Sequence, residues 1–190
     1  MFLFVGLGNL GKKYFDTRHN VGFFVIDELI KKFNFDSLGK KYSSSLFKGK
    51  IGNEIVMAIK PQTMMNNSGT AVKKIKDFYK IPINRVFVFY DEIDLVFLKL
   101  KIKIGGNSAG HNGIKSIDKL IGKNYNRIRI GIGKPLRKNM VSSFVLSSFT
   151  ETEMPALKEK IHLMITYFDT LLEYKFDLFL NKLSKREVII

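Results

Sequence analysis

The chain has 190 residues, 45% of them apolar and 13% aromatic, enough to bury a substantial core and too apolar for a disordered chain. It contains no cysteine, which excludes disulfides, thiolate metal sites and a cysteine nucleophile. Its 32 basic and 17 acidic residues give a formal charge of +15, which favours polyanionic partners such as nucleic acid. No apolar run approaches the ~18 residues of a membrane span. The opening MFLFVGLGN lacks a basic start and a cleavage site, so it reads as a strand, and a cytoplasmic protein is expected.

FLFVGL, residues 2–7, is a short apolar run ending near glycine, as a buried strand does. A glycine-rich turn follows, and then a helix from Val21 to Phe33. Its apolar residues Val21, Val25, Leu29 and Ile26, Ile30, Phe33 recur at helical spacing. Strands are predicted near 44–50 and 54–60, turning at Gly52-Asn53. KPQTMMNNSG is a loop in which Asn66 to Ser68 can cap the next helix. That helix presents Ala71, Val72, Ile75, Phe78 and Tyr79 on one face, and Pro82 closes it.

RVFVFYDEID reads as a strand buried on both faces, with Asp91 at its carboxyl end. LKLKIKI alternates: Leu98, Leu100, Ile102 and Ile104 face one way, Lys99, Lys101 and Lys103 the other. GGNSAGHNG is a flexible loop entering a helix at about 113–122. RIRIGIG is a further strand, with Arg127 and Arg129 opposite Ile128 and Ile130. Thr150 and Glu153 make a capping box for a helix bearing Met154, Leu157, Ile161, Met164, Phe168 and Leu171. Alternating strands and helices predict an α/β fold: a single domain over 1–190 with a twisted mixed sheet flanked by helices.

GLGNLG, Gly6 to Gly11, matches the dinucleotide fingerprint, but KKYFDTRHN intervenes before any helical periodicity, and no second strand ending in an acid follows. The glycines are read instead as a tight turn that presents Asn9. Asn9, His19, Asn66 and Asp91 stand at the ends of apolar elements, with His111 and Asn112 in the glycine loop. Ligands of open α/β sheets collect beyond the carboxyl ends of strands, so one sheet edge can gather this acid–imidazole–amide set. The H-E-x-x-H zinc motif is not present. A metal site of His19, Asp91 and His111 stays open on residue type alone, as does an RNA-binding module without turnover.

GLGNLGKKYFDTRHNVG, KPQTMMNNSG, YDEIDL, GGNSAGHNGIKSI and RIRIGIGKP resemble, in order, the signatures of bacterial peptidyl-tRNA hydrolase. That resemblance implies an enzyme that cleaves the ester between a peptide and the 3′-terminal ribose of tRNA. It also implies no metal or organic cofactor, no obligate protein partner and a monomer. It makes His19 the general base, and the chemistry suits an imidazole, which titrates near neutral pH. Asp91 should then hold the other ring nitrogen, while Asn66 and Asn112 orient water and the substrate carbonyl. By the same resemblance Asn9 contacts the peptide backbone beside the ester, and Tyr14 and Met64 pack on the tRNA side. Met65 and His111 line the peptide groove, and Lys101, Lys103 and Arg129 hold the 5′ phosphate end. Leu10, the 96–98 turn, Asn107 and Ser108 depart from the usual pattern in loop positions only.

Overall fold

The computed structural model describes residues 1–135 and 137–184. Four parallel strands make the centre of one sheet: β1 (Phe2–Gly6), β4 (Glu54–Pro61), β5 (Val86–Glu92) and β7 (Asn126–Gly131). β2 (Asp36–Lys41), β3 (Ser44–Ile51) and β6 (Leu100–Ile104) add antiparallel edges, giving the order β2-β3-β4-β1-β5-β7-β6. Seven helices follow in chain order among the described residues: α1 (Val21–Phe33), α2 (Ser68–Phe78), α3 (Asn112–Ile121), α4 (Val141–Val145), α5 (Glu153–Thr166), α6 (Phe168–Leu172) and α7 (Phe176–Ser184). No helix among the described residues is long and apolar enough to cross a membrane.

The two-residue period of the strands divides the core. Phe2 and Phe4 point with Phe87, Phe89 and Ile128 towards α1, α5, α6 and α7. Leu3 and Val5 point with Val86 and Val88 towards α2 and α3. Phe4 sits at the middle of the first layer, with ring centroids 5.3 Å from Phe87, 5.4 Å from Phe89 and 5.4 Å from Phe168. Such tilted and edge-on pairs contribute about 0.5–1.5 kcal/mol each beyond their buried area.

The glycines of the opening motif have a different cause from the one expected. Gly6 and Gly8 do not adopt the left-handed conformations of a tight turn; in this stretch only Gly11 does, at φ 107°. They are small because α1 lies on them. A Cβ on Gly6 would come 2.2 Å from the carbonyl oxygen of Gly22, and one on Gly22 would come 2.3 Å from that of Phe89. Backbone meets backbone here, so the start of α1 is pressed against the ends of β1 and β5.

Several elements differ from expectation. DSLGKK forms the edge strand β2, although its polar composition hides it from a hydrophobic-pattern reading. Leu98 is not on the alternating strand: it takes φ 65° in a turn, and β6 starts at Leu100. Ile104, at the strand end, is exposed. α2 begins at Ser68 after a 3₁₀ turn over Met65–Asn67, with no side-chain cap; the Ser68 hydroxyl instead donates to the Met65 carbonyl. Phe78, assigned to the apolar face of α2, is 60% exposed. Phe168 and Leu171 belong to a separate helix, α6, because α5 ends at Thr166. The capping box does form: Thr150 N–H donates to Glu153 Oε2 at 2.8 Å, and Glu153 N–H donates to Thr150 Oγ1 at 3.1 Å.

Candidate active site

The carboxyl ends of β1, β4 and β5 open onto a cleft of about 590 Å³. Asn9 enters it from the turn after β1, His19 from a 3₁₀ turn (Arg18–Asn20) that leads into α1, and Asp91 from the end of β5. Met64, Met65 and Asn66 arrive from the turn between β4 and α2, and His111 and Asn112 from the start of α3. Val141, Val145 and Leu146, from α4 and its end, close the remaining side with an apolar wall.

Asp91 is the electrostatic centre of the cleft and is only 3% exposed. His19 Nδ1 lies 2.8 Å from its Oδ1 and 2.9 Å from its Oδ2. His111 Nε2 lies 3.0 Å from Oδ1. Burial alone would raise the Asp91 pKa, but the two imidazoles beside it outweigh that and hold the carboxyl well below the usual carboxylate range.

The hydrogen bonds also assign the tautomers. The Ile114 N–H donates to His111 Nδ1 at 3.2 Å, so that nitrogen carries a lone pair and Nε2 carries the proton given to Asp91. Both nitrogens of His111 are thereby engaged. His19 gives its Nδ1–H to Asp91, so in the neutral ring Nε2 carries the lone pair, without a protein partner among the described residues, on a ring that lines the cleft. Burial pushes Tyr90 up to about 12, so its phenol, packed in the core edge-on to His111 at 5.0 Å, is neutral at ordinary pH.

Asn9 is locked from three directions. Its backbone N–H donates to Asn20 Oδ1 at 2.7 Å, and Asn20 Nδ2 donates to its carbonyl at 3.0 Å. The Met65 N–H donates to Asn9 Oδ1 at 2.9 Å. With that oxygen engaged, the Nδ2 donor is the end of the carboxamide left for a ligand.

His19, Asp91 and His111 also form a possible metal-ligand set, with donor atoms within 4.8 Å of one another. A tetrahedral ion about 2.1 Å from each donor would hold neighbouring donors about 3.4 Å apart. The contacts at 2.8 and 3.0 Å are shorter than that and match direct N–H···O bonds.

The cleft unites Asn9, His19, Met64, Met65, Asn66, Asp91, His111 and Asn112. Met65 is buried, while Met64, Asn66 and Asn112 are exposed. Tyr14 does not line the cleft; its half-buried ring lies 4.8 Å beneath Lys13 Nζ. Lys101, Lys103 and Arg129 stand apart on one sheet face, where Lys101 pairs in register with Arg129. Arg129 is not a free charge there: its Nε and Nη2 donate to Glu92 Oε2 at 2.9 and 2.8 Å. Arg127, read as lying on the same strand face, is buried and donates to Asp118 at 2.7 Å.

The family model described as peptidyl-tRNA hydrolase matches residues 3–189. The chain belongs to the peptidyl-tRNA hydrolase family. It is 47% identical over 172 residues to the peptidyl-tRNA hydrolase of Aliarcobacter butzleri, covering 90% of this chain and 92% of that relative. With the peptidyl-tRNA hydrolase of Pelagibacter ubique it is 44% identical over 186 residues, covering 98% and 100%. The crystal structure of peptidyl-tRNA hydrolase from Acinetobacter baumannii superposes with a TM-score of 0.90 at 33% identity, over 96% of this chain and 94% of that one.

Three features of this family member escaped the sequence reading. Asn20 closes the turn that holds Asn9, and the carboxamide directly after His19 was the available signal. Arg18 is buried beside it, an unusual place for a charge. The α4 wall lies in MVSSFVLSSF, whose five-residue helix is too short to announce itself by periodicity.

Because the folded-state pKa of Asp91 is depressed, its stabilising contribution is fully present above the unfolded carboxylate range and is lost as pH falls below that range towards the depressed folded value. Asp91→Asn is expected to lower the melting temperature at pH 7, with the gap to wild type narrowing below about pH 4. Thermal melts across that pH range check this; a gap that stays constant would mean the carboxylate is not held by its charge.

Proposed function

We propose that the chain hydrolyses the ester joining a peptide, or an N-blocked aminoacyl group, to the 3′-terminal ribose of tRNA, releasing tRNA and peptide. The observation that carries this reading is the pair of imidazoles on Asp91, only one of which keeps a free nitrogen towards the cleft. His19 Nε2 takes a proton from water as the water oxygen attacks the ester carbonyl. The imidazolium that forms keeps its Nδ1–H on Asp91, which stabilises the charge and fixes the ring. The tetrahedral intermediate then collapses, the ribose oxygen leaves, and it takes the proton back from Nε2. Asn66 and Asn112 orient the water and the carbonyl, and an amide N–H supports the developing oxyanion.

Asn9 supplies the discrimination. Its free Nδ2 donor suits the carbonyl oxygen of the peptide bond next to the ester. An unblocked aminoacyl ester lacks that carbonyl and brings an ammonium towards an N–H donor instead. Met65 and His111 line the peptide groove, with Met64 and Tyr14 towards the tRNA. The direct nitrogen–oxygen contacts of the two histidines support a scheme without a metal, and the enzyme acts as a cytoplasmic monomer.

One assay tests reaction, specificity and metal use together. With chelator present, wild-type protein should release the peptide from N-acetylaminoacyl-tRNA and leave aminoacyl-tRNA intact. His19→Ala should stay folded and lose about 10²–10⁴-fold in turnover. Binding without turnover would favour the RNA-binding module, and loss of activity with chelator the metal hydrolase.

Lys101 and Lys103 are exposed, and among the described residues neither has a carboxylate partner. They supply the phosphate contacts, and Arg129 adds only the edge of its guanidinium not given to Glu92. Neutralising either lysine should raise KM and reduce the slope of log KM against log salt by about one. An unchanged slope would make this stripe a solvated strand face.

A further inference from the structure

Arg18, the residue before His19, is 6% exposed, and a buried guanidinium must be compensated. Its Nη1 donates to Glu153 Oε1 at 3.0 Å and its Nη2 to Glu153 Oε2 at 2.6 Å, a bidentate fork. Nη1 also donates to the Ile132 carbonyl at 3.2 Å. The guanidinium carbon lies 4.7 Å from the Phe144 ring centroid and 4.9 Å from that of Phe149, so both rings pack on the cation.

These partners outline one segment. Ile132 is where the chain leaves β7, Phe144 is on α4, Phe149 is where the segment returns, and Glu153 opens α5. The main chain adds to the closure: Arg18 N–H donates to the Ser147 carbonyl at 3.0 Å, and Phe149 N–H to that of Asp16 at 3.1 Å. Thr17 and Ser148 form an isolated antiparallel bridge. The excursion from 132 to 149 is therefore pinned at its base to the turn carrying His19, and it bears the Val141, Val145 and Leu146 wall of the cleft.

We propose that Arg18 is a positioning residue for hydrolysis: it fixes the α4 wall relative to the His19 turn, so that one ion pair aligns the peptide with the base. The inference rests on the peptidyl-ester hydrolysis proposed above. Replacing such an ion pair by apolar packing of the same volume is often neutral for stability, so the bidentate bonds of Arg18 are read as positioning. Lysine has neither the planar fork nor the delocalised cation, so it cannot reproduce two parallel bonds to Glu153 while packing on Phe144 and Phe149.

The consequence depends on peptide length. On this placement an N-acetylaminoacyl group would end near His19 and Asn9, whereas a longer peptide would run on along the Val141, Val145 and Leu146 wall. The test compares kcat/KM for N-acetylaminoacyl-tRNA with that for a tRNA bearing a short oligopeptide. Arg18→Lys should lower the ratio of long to short substrate by at least about fivefold. Phe144→Leu, which leaves the ion pair in place, should move the ratio the same way by a smaller factor. Partial unfolding removes active enzyme for both substrates equally and cannot change the ratio. An unchanged ratio in Phe144→Leu, and in Arg18→Lys where that variant folds, would overturn the proposal; if Arg18→Lys does not fold, Phe144→Leu decides alone. A wild type that released neither ester would instead remove the reading of the reaction.

Discussion

A carboxylate with 3% of its surface exposed cannot stay ionised without close partners, and Asp91 has two imidazoles within 3.0 Å. The arrangement works because the two rings are not equivalent. The backbone at the start of α3 takes the remaining lone pair of His111 through Ile114, which makes that ring a fixed donor. Among the described residues His19 carries no such tie on its far side. The Ile114 N–H therefore distinguishes two residues of the same type: His111 has both ring nitrogens engaged, and His19 only its Nδ1 among the described residues. The placement of Asn9, the α3 cap and the close approach of α1 all serve to bring these groups to a single carboxylate.

Close approach is where the scaffold spends its small residues. Gly6 and Gly22 let α1 rest on strand ends with no side chain between them, so the turn before α1 is delivered to the end of β5. Gly113, in the first turn of α3, is equally crowded: a Cβ there would come 2.6 Å from Met65 Sδ and 3.0 Å from the His111 ring. Larger residues at these positions would push the elements apart and lengthen hydrogen bonds whose energy falls steeply with geometry. A fingerprint that looks like a phosphate cradle is thus a packing device, and the polar residue within it, Asn9, is positioned by Asn20 and Met65.

Much of the architecture was legible in the chain. Val21–Phe33 has a helical stripe, the 86–92 run is uniformly apolar until Asp91, and Thr150 with Glu153 marks a helix start; all three stand in the structure. The convergence on one cleft was legible only as an inference from strand ends, because spacing along the chain says nothing of how distant turns meet. What stayed hidden has physical causes. β2 is an edge strand held by backbone pairing, so its side chains carry no pattern. The break between α5 and α6 interrupts an apolar stripe that continues at helical spacing across it. Arg127 alternates like a solvated strand residue, yet Asp118, seven residues before Tyr125, folds back to neutralise it. A charge run in a sequence does not say which charges are spent internally; here Arg18, Arg127 and Arg129 are, and among the described residues Lys101 and Lys103 have no carboxylate partner.

The opposite tautomers of the two histidines are the feature on which the chemistry turns, and nitrogen-15 NMR of histidine-labelled protein reads them directly. At a pH where both rings are neutral, long-range proton–nitrogen correlations should show the proton of His19 on Nδ1 and that of His111 on Nε2, with the His19 preference weakened in Asp91→Asn and that of His111 kept by the Ile114 N–H. A neutral His19 protonated on Nε2 would leave no base facing the cleft and would contradict the account.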